Sequence, residues 1–188
     1  NQDLSSFYTN RYYAGDSTSD KINNTLVSNL FAIELHEGFN KWAMAGIRLF
    51  AQHDFNNYKM PSARRLNESF VENRFTIGGQ ILKRTGKNIN YTLEGQTSSE
   101  GGSWGDFKLS GEGLLKVNIF GDSVSLKVHG AIINRKPTFF YRKYHSQYLW
   151  WDNDLNKQFT THFGAVLDSK KTNTRISFDV QNIKHYTY

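Results

Sequence analysis

The sequence predicts an all-β fold: an antiparallel transmembrane β-barrel sector of about eight strands, cut from a larger barrel, with short turns on one rim and long loops on the other. Three observations carry that reading. Side-chain character alternates with a period of two along most of the chain and with a period of 3.6 almost nowhere. Several alternating runs extend over about 9 to 14 residues, beyond the usual five or six of a strand. The segments between the runs alternate between short and long, as they do in outer-membrane barrels. Only 2 Pro among 188 residues leave such runs unbroken.

Residues 1–188 read as a single domain, with 1–25 a polar loop or extension and 26–188 the antiparallel strands. The first strand is placed at about 26–37. Val27, Phe31 and Leu35 also fit one face of a helix, but the alternation of Phe31, Ile33 and Leu35 before Glu37-Gly38 favours a strand. Next, Ala43, Ala45, Ile47, Leu49 and Ala51 alternate with Met44, Gly46, Arg48, Phe50 and Gln52. A long connection follows at 55–73, in which Pro61 to Glu72 offers a short helix with Leu66 and Phe70 on one side. Phe75, Ile77, Gly79 and Ile81 form the next strand, Thr85-Gly86-Lys87 a turn, and Ile89, Tyr91 and Leu93 the return, against a polar set of Asn90, Thr92 and Glu94. The Gly/Ser-rich TSSEGGS at 97–103 reads as a further loop.

The clearest hairpin joins the run Phe107 to Ile119 to the run Val124 to Ile132 across Gly121-Asp122. A two-residue loop there sets Ile119 opposite Val124, Val117 opposite Leu126 and Leu115 opposite Val128, and it makes the two apolar faces coincide. The same register puts Lys116 opposite Lys127, a like-charge pair that needs water around it. Depth follows from the hairpin too, with Val117 and Leu126 expected near a bilayer midplane. After a long connection at 134–158, Phe159, Phe163, Ala165 and Leu167 precede a polar turn at 169–173, and Ile176, Phe178 and Val180 close the pattern.

Composition removes several classes of function. With no Cys there is neither a disulfide framework nor a Cys-ligated zinc site. The apolar runs are far shorter than the roughly 18 residues of a membrane helix. A mean hydropathy of -0.62 is compatible with barrel strands, because a polar face dilutes the apolar one. The net charge of +6 is spread along alternating strands rather than clustered, so no nucleic-acid partner is expected. The six His, at 36, 53, 129, 145, 162 and 185, lack HxxxH or HExxH spacing, and no metal is expected. There is no nucleophile-elbow, P-loop or dinucleotide motif, so neither an enzyme nor a cofactor is expected. Asn23, Asn67 and Asn90 begin N-x-S/T triplets, which carry no weight without a eukaryotic secretory route.

If the chain is a barrel sector, its polar alternating positions line an aqueous pore. The candidate lining residues are Arg48, Gln52, Gln80, Glu94, Lys108, Glu112, Lys116, Lys127, His129, His162, Arg175 and Asp179. Both signs are present, so strong ion selectivity is not expected. The densest local anomaly is PTFFYRKYHSQYLWWDND at 137–154, which brings together Phe139, Phe140, Tyr141, Tyr144, Tyr148, Trp150 and Trp151. Flat rings beside cations suit sugar or nucleobase stacking. The plainer reading is an interfacial girdle or a mouth lining, and it is preferred because so many exposed rings would form a sticky patch.

That segment and PSARRLNESFVENRFTIGGQILKRTGKNINYTLEGQT at 61–97 resemble the β-barrel porins of the Gram-negative Bacteroidota. The resemblance implies a chain in the cell outer membrane that contacts outer-membrane lipid and passes small solutes by passive diffusion. It supplies no catalytic or binding residues to carry over, and members of that family are longer than this chain. If the short turns face the periplasm, both chain ends emerge at the extracellular rim, and further strands are expected before Asn1 and after Tyr188. The rival reading is a soluble secreted β-sandwich that binds glycan through Trp104, Trp150 and Trp151.

Overall fold

The computed structural model describes residues 8, 10–13, 20–39, 44–62, 67–101, 103–119 and 121–187. Eight long strands dominate it: β1 (Asn23–Leu35), β2 (Gly46–Met60), β3 (Glu68–Lys83), β4 (Ile89–Glu100), β5 (Ser103–Ile119), β6 (Asp122–Arg135), β9 (Gln158–Ser169) and β10 (Thr174–Lys184). Between β6 and β9 lie a four-residue helix α1 (Phe139–Arg142) and a small hairpin of β7 (Lys143–His145) and β8 (Trp150–Asp152). The eight strands form one antiparallel sheet in the order β1-β2-β3-β4-β5-β6-β9-β10, so each strand pairs with its sequence neighbour once the β7–β8 excursion is set aside. The sheet is not closed: β1 and β10 are its two edges. No helix among the described residues is long and apolar enough to cross a membrane, which says nothing of strands.

The register sorts side chains onto two faces of opposite character. One face carries Val27, Phe31, Ile33 and Leu35 of β1, Ile47 and Leu49 of β2, Ile77 and Ile81 of β3, and Leu93 of β4. It continues through Leu109 and Val117 of β5, Val128 of β6, Phe163 of β9 and Phe178 of β10. Within the eight strands its charged residues are Lys59, Lys83, Asp122 and Lys184, each at or beside a strand end. Nothing among the described residues covers this face. Phe31 is 67% exposed and Phe178 61%, whereas the buried apolar side chains among the described residues are Met60, Pro61, Leu82, Pro137 and Phe139. A water-soluble domain hides such residues in one contiguous core, so the usual inside-outside order is inverted.

Four sequence expectations need correction. In the β5–β6 hairpin Val117 faces Val124 and Leu115 faces Leu126, with Ile119 opposite Asp122, so facing positions are shifted by two from the expected register. The loop sits one residue earlier, with Gly121 at φ 77°, a conformation glycine adopts at no steric cost. A shift of two preserves the faces but separates the expected lysine pair: Lys116 faces Ser125, and Lys127 faces Leu114. The shift also places Val117 only two residues from the end of its strand, away from mid-strand.

The second correction concerns loop lengths. Asn56 to Met60 and Glu68 to Asn73, whose polarity reads as loop, belong to paired β2 and β3, leaving 61–67 as the connection. The ladder bonds backbone groups, so polar side chains on the far side of a sheet do not end a strand. Third, no helix runs from Pro61 to Glu72: Glu68 to Glu72 are strand, and 63–66 lie outside the described residues. Fourth, TSSEGGS is mostly strand, with Thr97 to Glu100 in β4, Ser103 in β5 and a turn at Gly101. Long and short connections therefore do not divide cleanly by rim. The rim holding 84–88, 120–121 and 170–173 also holds the longer 36–45, and the other rim has one long segment, 136–157, beside the short 61–67 and 101–102.

Candidate functional site

The second face of the sheet is polar, and on it the register gathers every predicted lining residue. Arg48 and Gln52 of β2, Gln80 of β3 and Glu94 of β4 share it with Lys108, Glu112 and Lys116 of β5. Lys127 and His129 of β6, His162 of β9, and Arg175 and Asp179 of β10 lie on the same side. They form rows running across the strands rather than a random scatter. In one row Arg48 pairs with Glu34 and donates from Nη1 to Gln80 Oε1 at 3.2 Å. Gln80 Nε2 then donates to Glu94 Oε2 at 2.5 Å, and Lys108 Nζ donates to Glu94 Oε1 at 2.7 Å, linking β1 through β5. Farther along, Lys127 stands 3.4 Å from Glu112 and Arg175 3.7 Å from Asp168. Opposite charges on neighbouring strands stabilise a sheet by about 0.2–1 kcal/mol per pair. Here they also cancel one another laterally, so the face is polar without being strongly of one sign.

A denser charge network lies toward the rim of the long loop, and of its residues only Arg142, a cation among the aromatic rings of 137–154, stands out in the sequence. Arg142 of α1 donates to Glu72 Oε1 at 2.5 Å and to Glu100 Oε1 at 3.0 Å. Arg74 holds the other oxygen of Glu100 at 2.8 Å and lies 3.5 Å from Asp106 Oδ2, while Lys157 reaches Asp106 Oδ1 at 3.0 Å. The network ties the beginning and end of segment 136–157 to β3, β4 and β5, drawing the loop over the polar face. Beneath it a cavity of about 260 Å³ is lined by Gln52, Asp54, Tyr58, Arg74 and Phe139, among others. No motif marks these residues, because their partners come from distant strands. Glu72 and Arg74 share a face with Gln80 by simple alternation, and that is the one signal that reaches them.

The aromatic residues of the loop pack in pairs. Phe139, 6% exposed, stacks on Tyr58 with centroids 3.8 Å apart and planes 2° from parallel. Phe140 meets both Tyr58 and Phe139 edge-on. In the β7–β8 hairpin Tyr144 stacks on Trp151, and His145 on Trp150 at 3.8 Å. Lys143 sits 4.7 Å above the Phe70 ring, and His145 meets Phe70 edge-on. Two residues of the polar N-terminal extension join the loop: Tyr8 stacks on Tyr148, and Tyr12 on Trp150. The main-chain N–H of Tyr12 bonds the Gln147 carbonyl at 2.9 Å, and the Gln147 N–H bonds Asp20 at 3.0 Å. Tyr141 projects outward, 50% exposed, and no wide coplanar platform of free rings is formed. Trp104 does not join this group; it lies on the apolar face of β5 at the same rim, opposite Ser99 and 53% exposed.

Electrostatics fasten the open end of the β7–β8 hairpin, where Lys143 faces Asp152. Burial works to raise the Asp152 pKa, but hydrogen bonds from Lys143 and His145, with Lys143 Nζ at 2.5 Å and His145 Nε2 at 3.0 Å, outweigh it and hold the carboxyl below the usual range. In the N-terminal extension, burial first and a hydrogen bond to Asp20 second push the Tyr13 hydroxyl pKa upward. The arrangement as a whole is a charged, laterally paired sheet face capped at one rim by a packed loop, opposite an apolar face that no layer of the described residues covers. No curated protein and no solved structure matches the chain. The family model described as "Putative porin" matches residues 1–188, and the chain belongs to that family.

Proposed function

We propose that the chain is a membrane-spanning sector of an outer-membrane β-barrel through which small solutes diffuse passively. Its polar face lines the water-filled lumen, and its apolar face meets lipid. The observation that carries this reading is the inverted burial. Large apolar side chains such as Leu49, at 62% exposed, and Phe163, at 52%, lie open on one face, while the mid-strand charges lie on the other. Soluble monomers rarely expose contiguous apolar patches beyond a few hundred Å², and this one crosses all eight strands. In lipid the same band is the low-energy surface.

The two open edges fit a sector better than a complete pore. Unpaired strand edges are not tolerated in hydrocarbon, so β1 and β10 call for neighbouring strands. Charges of both signs along the lining leave transport governed mainly by size and only weakly by ion sign. The loop 136–157, held by Arg142, narrows the opening at one rim. The sandwich reading needs a second sheet against the apolar face; the β7–β8 hairpin, the other sheet among the described residues, packs through Phe70 on the polar one.

The test is reconstitution of the full-length protein into planar bilayers. Stepwise conductance with little preference between cations and anions is the expected result. A protein that is soluble without detergent, gives no conductance, and binds a glycan lost on Trp151→Ala would replace this reading with the other.

A further inference from the structure

Three residues of the polar face converge in a way that lateral charge pairing does not require. His129 of β6 and Asp179 of β10 both lie directly across from Gly164 of β9, and His162 of β9 lies two residues away on the same side. One carboxylate oxygen, Asp179 Oδ1, stands 2.9 Å from His129 Nε2 and 3.2 Å from His162 Nε2. The two imidazole centroids are 5.0 Å apart, and one ligand atom from each of the three residues lies within 4.8 Å of the other two. Gly164 makes the convergence possible. A Cβ at that position would collide with both Asp179 Oδ1 and the His129 ring, so the absent side chain is the space into which the carboxylate and imidazole lean.

We propose that His129, His162 and Asp179 form a binding site for a divalent transition-metal ion of the zinc class. The donor set is right for such an ion: imidazole suits zinc, copper and nickel, and two imidazoles with one carboxylate recur at zinc sites that keep a further position open to solvent. The spacing also fits. Bonds of about 2.0–2.1 Å in a tetrahedron put ligand atoms about 3.3 Å apart, close to the two nitrogen–oxygen separations, and the whole set lies within 4.8 Å, so a small side-chain rotation would close it on an ion. Both Nε2 atoms lie within hydrogen-bond distance of the same carboxylate oxygen, and in the metal-bound site both would bind through lone pairs.

The surroundings leave the site open. The charged neighbours on the same face are Glu112 of β5 and Lys127 of β6, which are paired with each other, and Asp168 of β9 and Arg175 of β10, which stand 3.7 Å apart. His129 and His162 also border a concavity of about 290 Å³ that reaches Glu94 and Ser110, through which an ion and its water can enter. Linear spacing hides the site, because its ligands sit on three successive strands of the sheet. The inference rests on the geometry of this face and not on conduction, so it stands or falls separately from the proposed function.

The test is a zinc titration of the folded full-length protein in detergent, by calorimetry, with Co²⁺ absorption as a second readout of tetrahedral nitrogen and oxygen ligation. One ion per chain is expected, with binding weakened at least about tenfold by each of His129→Gln, His162→Gln and Asp179→Asn. His36→Gln, remote from the cluster, should leave it unchanged. In the unmodified protein Zn²⁺ should protect His129 and His162, and not His36, from modification by diethylpyrocarbonate; no protection of either would count against the site, and this arm holds if a variant fails to fold. Absence of binding up to about 1 mM Zn²⁺, or binding that survives both His162→Gln and Asp179→Asn in folded protein, would overturn the assignment.

Discussion

Substituting Val128→Arg tests which face of the sheet meets lipid, and the structure fixes how large the effect should be. The apolar run of β5 extends from Phe107 to Ile119 and that of β6 from Val124 to Ile132, so the band is centred near Gly113 and Val128, which face each other. Strands rise about 3.4 Å per residue, and a tilt of about 40° projects this to about 2.6 Å along the membrane normal. Val128 therefore sits near the midplane, while Val117, four residues from Gly113, lies about 10 Å away, near the limit of a band about 25 Å tall. An arginine at the midplane of a barrel's lipid face costs about 2–4 kcal/mol, falling to about 0–1 near the interface. Val128→Arg should thus cost about 2–4 kcal/mol and Val117→Arg distinctly less. Lys127→Gln, next in sequence but on the other face, removes a pair with Glu112 in which both side chains are more than half exposed, worth at most about 1 kcal/mol. The assay is equilibrium unfolding by guanidinium in phospholipid vesicles. Equal costs for Val128→Arg and Lys127→Gln would refute the assignment of faces, and a Val117→Arg cost equal to that of Val128→Arg would refute the assigned depth.

Three further outcomes follow from the capped rim. Arg142→Ala leaves Glu72 and Glu100 without their shared partner; with charge-assisted bonds worth about 1.5–3 kcal/mol each, segment 136–157 should detach often enough to raise both its protease sensitivity and single-channel conductance. Phe139→Ala removes the buried ring stacked on Tyr58 and should cost about 3–5 kcal/mol of loop docking, read as faster cleavage within 136–157 while the far-UV β signal is unchanged. The depressed Asp152 pKa means that its stabilisation of the β7–β8 hairpin is full above the ordinary carboxylate range and is lost as pH falls through the folded value. Tryptophan fluorescence from Trp150 and Trp151 should accordingly change on acidification, and Asp152→Asn should abolish that transition.

Much of the sheet was legible in the sequence because strand alternation writes burial directly into residue order. The polar set of Arg48, Gln80, Glu94, Lys108 and His129 could be placed on one face before any contact was known, since parity survives an error of two residues in register. That same tolerance explains what was misread. The alternation of Val117 and Leu115 against Leu126 and Val124 is equally good in either register, and the turn, with Gly121 at positive φ, decides between them. Strand ends were illegible where Asn56, Asn57 and Ser98 to Glu100 carry no apolar signal but continue the backbone ladder. The contacts that tie the loop down, from Arg142 to Glu72 and from Phe139 to Tyr58, join residues tens of positions apart, and no local pattern encodes them. The convergence of His129, His162 and Asp179 is of the same kind: alternation puts each on the polar face of its strand, but only the register across β6, β9 and β10 brings them together around Gly164.

The central claim, that one face of this sheet meets lipid and the other water, is tested most directly by a cysteine scan along β9. This chain contains no Cys, so each substitution places a thiol for a spin label at a chosen position, with any Cys elsewhere in the full-length protein replaced first. With the full-length protein in bilayers, labels at Phe159→Cys, Phe163→Cys and Leu167→Cys should collide preferentially with oxygen dissolved in the lipid, and labels at Thr160→Cys, His162→Cys and Val166→Cys with a water-soluble nickel chelate. The two accessibilities should alternate out of phase with a period of two. Uniform access to the aqueous reagent, or alternation with the faces exchanged, would contradict the account.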